Sequence, residues 1–231
     1  MNNLSLVAAL ATAPSNAFRE LRERPRFLFP LLIVVAASVA VNYWYFSTVD
    51  FEWLKQTVVV NSPDFQKMPE GQRAGALAMF TRTTYLWATV IGICVVVPLF
   101  AVIQALFLLV AAKLTKVTLG FKHWFAMVCW TMLPALLSVI VAAILILMSD
   151  TRQISPGTIQ ALSLNELFVH RPMGAPGQGL FDALNIPAFL SWTLMIIGVR
   201  TWSQRSWGFS AAFVLIPLVA IFGFWAFLAF R

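Results

Sequence analysis

Acidic residues are scarce in this sequence, histidine is nearly absent, and charge of either sign is missing from long stretches of it. Nine Asp and Glu and sixteen Lys and Arg amount to 11% of 231 residues, where about a quarter is usual in a soluble domain. The two cysteines, Cys94 and Cys129, lie within apolar stretches and have no Cys or His at metal-ligand spacing. Neither a disulfide framework nor a zinc site is supported. No H-E-x-x-H, G-x-S-x-G, P-loop or G-x-G-x-x-G pattern occurs, so the usual metalloprotease, hydrolase and nucleotide-binding signatures are missing. No cofactor, metal or catalytic residue is assigned. A non-enzymatic protein is expected.

What the chain has in excess is apolar side chain, at 60%. It comes in five blocks: 27–46, 85–112, 124–148, 181–199 and 209–230. A membrane span needs roughly 20 apolar residues, and the blocks are continuous rather than alternating, which excludes a membrane barrel. The expected fold is all-α, a polytopic bundle of five transmembrane helices. Residues 1–26 form a segment ahead of it and 27–231 the membrane domain. The fourth block is the weakest, with Asp182 at its edge; a re-entrant hairpin is the alternative there.

The net charge of +7 lies largely in short segments beside the blocks, which points to topology signalling and anionic lipid rather than to nucleic acid. Arg19, Arg22, Arg24 and Arg26 precede the first block; Lys113, Lys116 and Lys122 lie between the second and third; Arg200 and Arg205 lie between the fourth and fifth. In a five-span chain these segments share one side, with nine basic residues against Glu20 and Glu23. The other side carries seven basic and seven acidic residues. The positive-inside rule then gives N-in/C-out in a cytoplasmic (inner) membrane. Arg19, Arg22, Arg24, Arg26, Lys113, Lys116 and Lys122 are the candidate face for anionic lipids or partner proteins.

Leu4 to Leu10 and Ala11-Thr12-Ala13 imitate a signal peptide, but the basic residues follow the apolar run instead of preceding it. A helix starting near Pro14 puts Phe18 and Leu21 on one face and charges on the rest, which suits an interfacial amphipathic helix or an ordinary solvated one. The outer loops, 47–84 and 149–180, read as a short amphipathic helix over Glu70 to Thr84 and as irregular chain respectively.

Each block carries one proline: Pro30, Pro98, Pro134, Pro187 and Pro217. The three mid-span prolines, Pro98, Pro134 and Pro217, free a carbonyl and kink a helix; static packing is favoured over a hinge. Asn42 and Gln104 are read as interhelical hydrogen-bonding groups. No charged residue stands mid-span, which argues against an ion-coupled carrier and leaves a lipidic or neutral solute open. His123 and His170 read as surface groups. Tyr43, Trp44, Trp87, Trp124, Trp130, Trp202 and Trp207 read as an interfacial belt.

The landmarks Pro14-x3-Phe18-x2-Leu21-x3-Pro25-x4-Pro30, Lys113-Leu-Thr-Lys116, Gly120-Phe121-Lys122, Trp130-Thr131-Met132-Leu133-Pro134, Leu190-Ser191-Trp192 and Gly198-Val199-Arg200 follow in order along the chain. This pattern resembles the Yip family, the Ypt/Rab-interacting membrane proteins, and in particular its shorter bacterial branch. The resemblance implies a five-span helical domain and brings no catalytic residues. Eukaryotic members are linked to vesicle traffic and small GTPases. No long hydrophilic region precedes the first block here, so that role is not carried over. The expected role is organising or interacting with membrane proteins or lipids, with self-association included; a transporter or channel for a small or lipidic solute is the alternative.

A reporter fused after Trp202 tests the fourth crossing. Fluorescence of a cytoplasmic reporter and silence of an exported phosphatase are expected; the reverse pattern makes the block re-entrant.

Overall fold

The computed structural model describes residues 1–60 and 63–231, and its regular elements among these are all helices, with one isolated bridge between Ser163 and Asn185. Two short helices, α1 (Asn3–Thr12) and α2 (Pro14–Glu23), precede the long α3 (Leu28–Thr48). Short elements α4 (Phe51–Lys55), α5 (Pro63–Lys67) and α6 (Glu70–Met79) lie in the connection from α3 to the next long helix. Then come α7 (Arg82–Leu114), α8 (Phe121–Thr131), α9 (Ala135–Leu147), α10 (Gln178–Ala183), α11 (Ile186–Ser203) and α12 (Trp207–Ala229).

Four units are long and apolar enough to cross a membrane: α3, α7, α8 with α9 as one unit, and α12. Their apolar side chains are mostly exposed: Val95, Phe100 and Ile103 on α7 and Ile216, Val219 and Phe224 on α12 all face outward. In water such surface drives association; in a bilayer it is the solvated face. α11 has 18 residues, a length of about 27 Å at the helical rise. It joins the two ends of the bundle. At one end Ile186 N–H donates to Leu162 O, and at the other Trp202 Nε1 donates to Phe18 O.

Helix boundaries shift where capping chemistry decides. The second block starts at Arg82 rather than Tyr85, because Thr81 Oγ1 accepts from Thr84 N–H. That cap also splits the amphipathic stretch, so α6 stops at Met79. Arg82 then donates to Phe46 O, Ser47 O and Val49 O at 3.0, 3.1 and 3.0 Å, satisfying carbonyls that the end of α3 leaves without an intrahelical donor. The fourth block divides: Asn185 caps a fresh helix with Pro187 in its first turn, and Asp182 stays behind on α10.

The third block is interrupted between α8 and α9. Pro134 has no N–H to offer and its ring crowds the carbonyl one turn back. The chain passes through on shorter-range bonds, Leu133 N–H to Trp130 O and Ala135 N–H to Met132 O. Pro98 and Pro217 sit inside uninterrupted helices.

The main core lies at the end where α1 and α2 meet α7, α8, α11 and α12. Leu6, Phe18, Leu21, Trp124, Met127, Trp130 and Val199 are almost fully buried there. Gly198 permits this closeness: a Cβ at that position would stand 2.8 Å from Met127 Cε and 3.0 Å from Phe18 Cε1. A smaller core at the other end joins Tyr45, Phe51, Leu54 and Ile146.

Phe18→Ala is expected to destabilise the protein by about 3–5 kcal/mol, and Trp202→Phe by about 1 kcal/mol through one lost hydrogen bond. Thermal unfolding in detergent, followed by tryptophan fluorescence, measures both.

Candidate functional site

The basic segments of the sequence converge at the end that carries the main core. The apolar face of α2, Ala17, Phe18 and Leu21, is buried against protein, where α2 packs on α8 and α11. The opposite face presents Arg19, Arg22 and Arg24 to the surroundings. Three ring N–H groups fasten this segment through its backbone. Trp202 Nε1 donates to Phe18 O at 2.6 Å, His123 Nε2 lies 3.2 Å from Arg22 O, and Trp130 Nε1 donates to Arg26 O at 2.7 Å. A carbonyl only accepts, so His123 carries its proton on Nε2 in this arrangement.

These contacts fix the backbone and leave the Arg19, Arg22 and Arg24 side chains exposed and without an ion pair among the described residues, Arg19 bonding only locally to Ser15 O and Asn16 Oδ1. Arg26 is the exception, half-buried and paired with Glu20 at 2.9 Å. Arg205, from the last short loop, donates to Thr115 O at 2.7 Å and covers the Phe209 ring. Lys113, Lys116 and Lys122 are all exposed beside it. All seven sequence-identified basic residues therefore lie at one end, and Arg200 and Arg205 extend the set.

Lys116 closes α7 in the left-handed conformation, φ 59°. Val117 N–H reaches back to Ala112 O and Lys116 N–H to Lys113 O, the bonding of a Schellman stop. Glycine holds that position with less strain, so a charge stands where the backbone favours none.

Gln104 and Asn42 behave differently from each other. Gln104 Nε2 reaches across to Met195 Sδ on α11 at 3.9 Å, a weak partner. It faces a cavity of about 520 Å3 between α7, α11 and α12, walled by Phe107, Trp192, Pro217 and Phe222. The walls are almost wholly apolar. Asn42 Nδ2 donates instead to Ser38 O on its own helix at 2.9 Å, because that carbonyl is one turn away and always within reach. His170 is exposed, at the left-handed end of a short π-turn. Among the described residues no group of three or more His, Cys, Asp or Glu is placed to hold a metal ion.

The Yip1 domain family matches residues 8–229. The chain belongs to the Yip1 domain family. The match begins within α1, so the fastened α2, both apolar helices on which it rests and the basic end all fall inside the Yip1 domain. No curated protein matches the chain, and no solved structure does. The fastening of this Yip1 domain through Trp130, Trp202 and His123 had no separate signal in the sequence, since tryptophans at block edges also serve as an interfacial belt.

Lys116→Gly is expected to raise stability by about 1 kcal/mol and to lower retention of anionic lipid. Thermal unfolding and lipid analysis of the same preparation read the two effects separately.

Proposed function

We propose that this Yip1 domain is a non-enzymatic integral membrane protein that organises lipids or other membrane proteins through its basic end. In this reading it crosses the cytoplasmic membrane five times, with α11 as the fourth crossing, its N-terminus in the cytoplasm and its C-terminus outside. The observation that carries it is the basic end itself: exposed arginines and lysines from three separate segments on a backbone fastened by ring N–H groups. A rigid array of cations loses little freedom on meeting phosphate headgroups, and each basic residue near an anionic leaflet contributes about 1 kcal/mol. The charge asymmetry between the ends supports the orientation, and the length of α11 together with its contacts at both ends supports the fourth crossing. The motif resemblance supports the bacterial branch. The same end is where a second copy or another membrane protein with an acidic cytoplasmic face would meet it.

Arg22→Glu, Arg24→Glu and Lys122→Glu together are expected to reduce co-purifying anionic lipid several-fold in mild detergent, at unchanged helix content. Unchanged lipid would remove the basic end from the proposal. Arg26 is left alone because its partner is Glu20.

A second reading, a path for a lipidic solute, is favoured by the apolar cavity at Gln104. Lining of this kind suits an acyl chain more than a hydrated ion. Gln104→Leu is expected to leave folding intact and to change which lipids remain bound, as seen by native mass spectrometry.

A further inference from the structure

At the end away from the basic face, a second cavity of about 240 Å3 enters the bundle between α3, α9 and the start of α11. It is more polar than the cavity at Gln104, although Val41, Val139 and Ile159 also wall it. Ser38, Asn42, Ser138, Ser163, Asn185 and Asp182 all line it. Ser38 lies ten residues before Thr48, the last residue of α3, which is about 15 Å along the helix. Ser138 lies nine residues before Leu147, the end of α9. The cavity thus carries polar groups roughly halfway through a bilayer core of about 30 Å.

Several of these groups have no hydrogen-bond partner among the described residues. Ser47, Ser191, Thr193 and Thr201 each donate back to the carbonyl four residues earlier. Ser38 and Ser138 do not, and among the described residues their hydroxyls make no hydrogen bond. The Asn42 side-chain oxygen likewise accepts none. Polar groups at this depth without partners are costly in lipid and call for water or a polar ligand.

Asp182 supplies the charge. Burial holds its carboxyl above the usual range, against the opposing effect of bonds from Gln178, Asn165 and Ser163. No ion pair reaches it among the described residues; the nearby Arg171 guanidinium donates to Pro176 O and lies over the Phe181 and Phe230 rings. Asp182 and Gln160 also line a neighbouring cavity of about 410 Å3 among the outer loops. The carboxylate therefore stands where the loop cavity meets the one inside the bundle.

We propose that this cavity is a water-filled site for a small cation, held at Asp182 and solvated by the hydroxyl and amide oxygens of Ser38, Asn42 and Ser138. The donors are hard oxygen groups with a single anionic charge, which matches a monovalent ion or a small ammonium group rather than a transition metal. The site is independent of the basic end and of the apolar cavity. It also refines the expectation drawn from the uncharged spans: the carboxylate lies outside them, while the polar pocket reaches inward from it.

The test uses the full chain in nanodiscs, with Cys94 and Cys129 replaced by Ala and one cysteine introduced by Ser138→Cys. Ser38→Cys, on the opposite wall, serves if the first variant does not fold. Ile140→Cys, exposed and lipid-facing on the same helix as Ser138, is the dry control. Cationic and anionic thiosulfonates of similar size are compared, each normalised to a free thiol. The cavity cysteine is expected to react far faster than the control. Its preference for the cationic reagent is expected to fall about tenfold with Asp182→Asn, the size of effect a lone charge in a low-dielectric cleft produces. Sodium chloride or methylammonium chloride, set against N-methylglucamine chloride at equal ionic strength, is expected to slow the cationic reagent. Protection by sodium assigns a metal ion, and protection by methylammonium alone assigns an amine. Reactivity no greater than the control, a preference unchanged by Asp182→Asn, or protection by neither cation overturns the proposal.

Discussion

Lipid offers no hydrogen bonds to a polypeptide, and every level of this structure answers to that constraint. The long helices satisfy their own backbones. Where helices end or break, substitutes are found within the chain. Arg82 closes the three carbonyls at the end of α3. The passage through Pro134 tightens to shorter-range bonds, so that Trp130 O and Met132 O are not abandoned. The end of α7 folds back on itself at Lys116. Polar side chains follow the same rule, most hydroxyls returning their proton to the preceding turn. Ser38 and Ser138 do not, and they mark a place inside the bundle where protein atoms leave the accounting open.

The two ends of the bundle are built on different principles. At the basic end a large aromatic core brings α2 onto α8 and α11, and ring N–H groups hold its backbone. Apart from Glu20 with Arg26 and the N-terminal ammonium, charges there are presented rather than paired among the described residues. At the opposite end the connections are long, partly polar and joined by single bonds such as Asp50 N–H to Arg152 O and Tyr45 Oη to Ile154 O. A rigid cationic surface and a looser polar mouth suit contact with headgroups on one side and access for small solutes on the other.

Much of the architecture was legible because lipid makes apolar length informative. Blocks one, two, three and five map onto helices within a few residues, and the displaced boundaries trace to Thr81, Asn185 and Pro134. The fourth block was faint for a physical reason. α11 lies against α2, α8, α9 and α12, so its surface need not be as greasy as that of a helix facing lipid. The role of α2 was half legible: its amphipathic face is plain in the sequence, but an apolar stripe looks the same whether it meets lipid or protein. Trp130 and Trp202 were illegible for a similar reason, since an indole donor at a block edge serves headgroups and carbonyls equally well. Asn42 was misplaced because its own helix offers an acceptor no neighbour has to supply.

The bond from Trp202 to Phe18 O spans 184 positions of sequence, and that distance has a consequence for biogenesis. Synthesis runs from the N-terminus, so Phe18 and Leu21 leave the ribosome long before the tryptophan that will hold them. During that interval the apolar face of α2 lacks the α11 surface on which it packs in the folded protein. Closure becomes available when α11 has been made, and Gly198 is then the notch into which Phe18 settles. An early segment is thus seated late, once α11 is in place beside it.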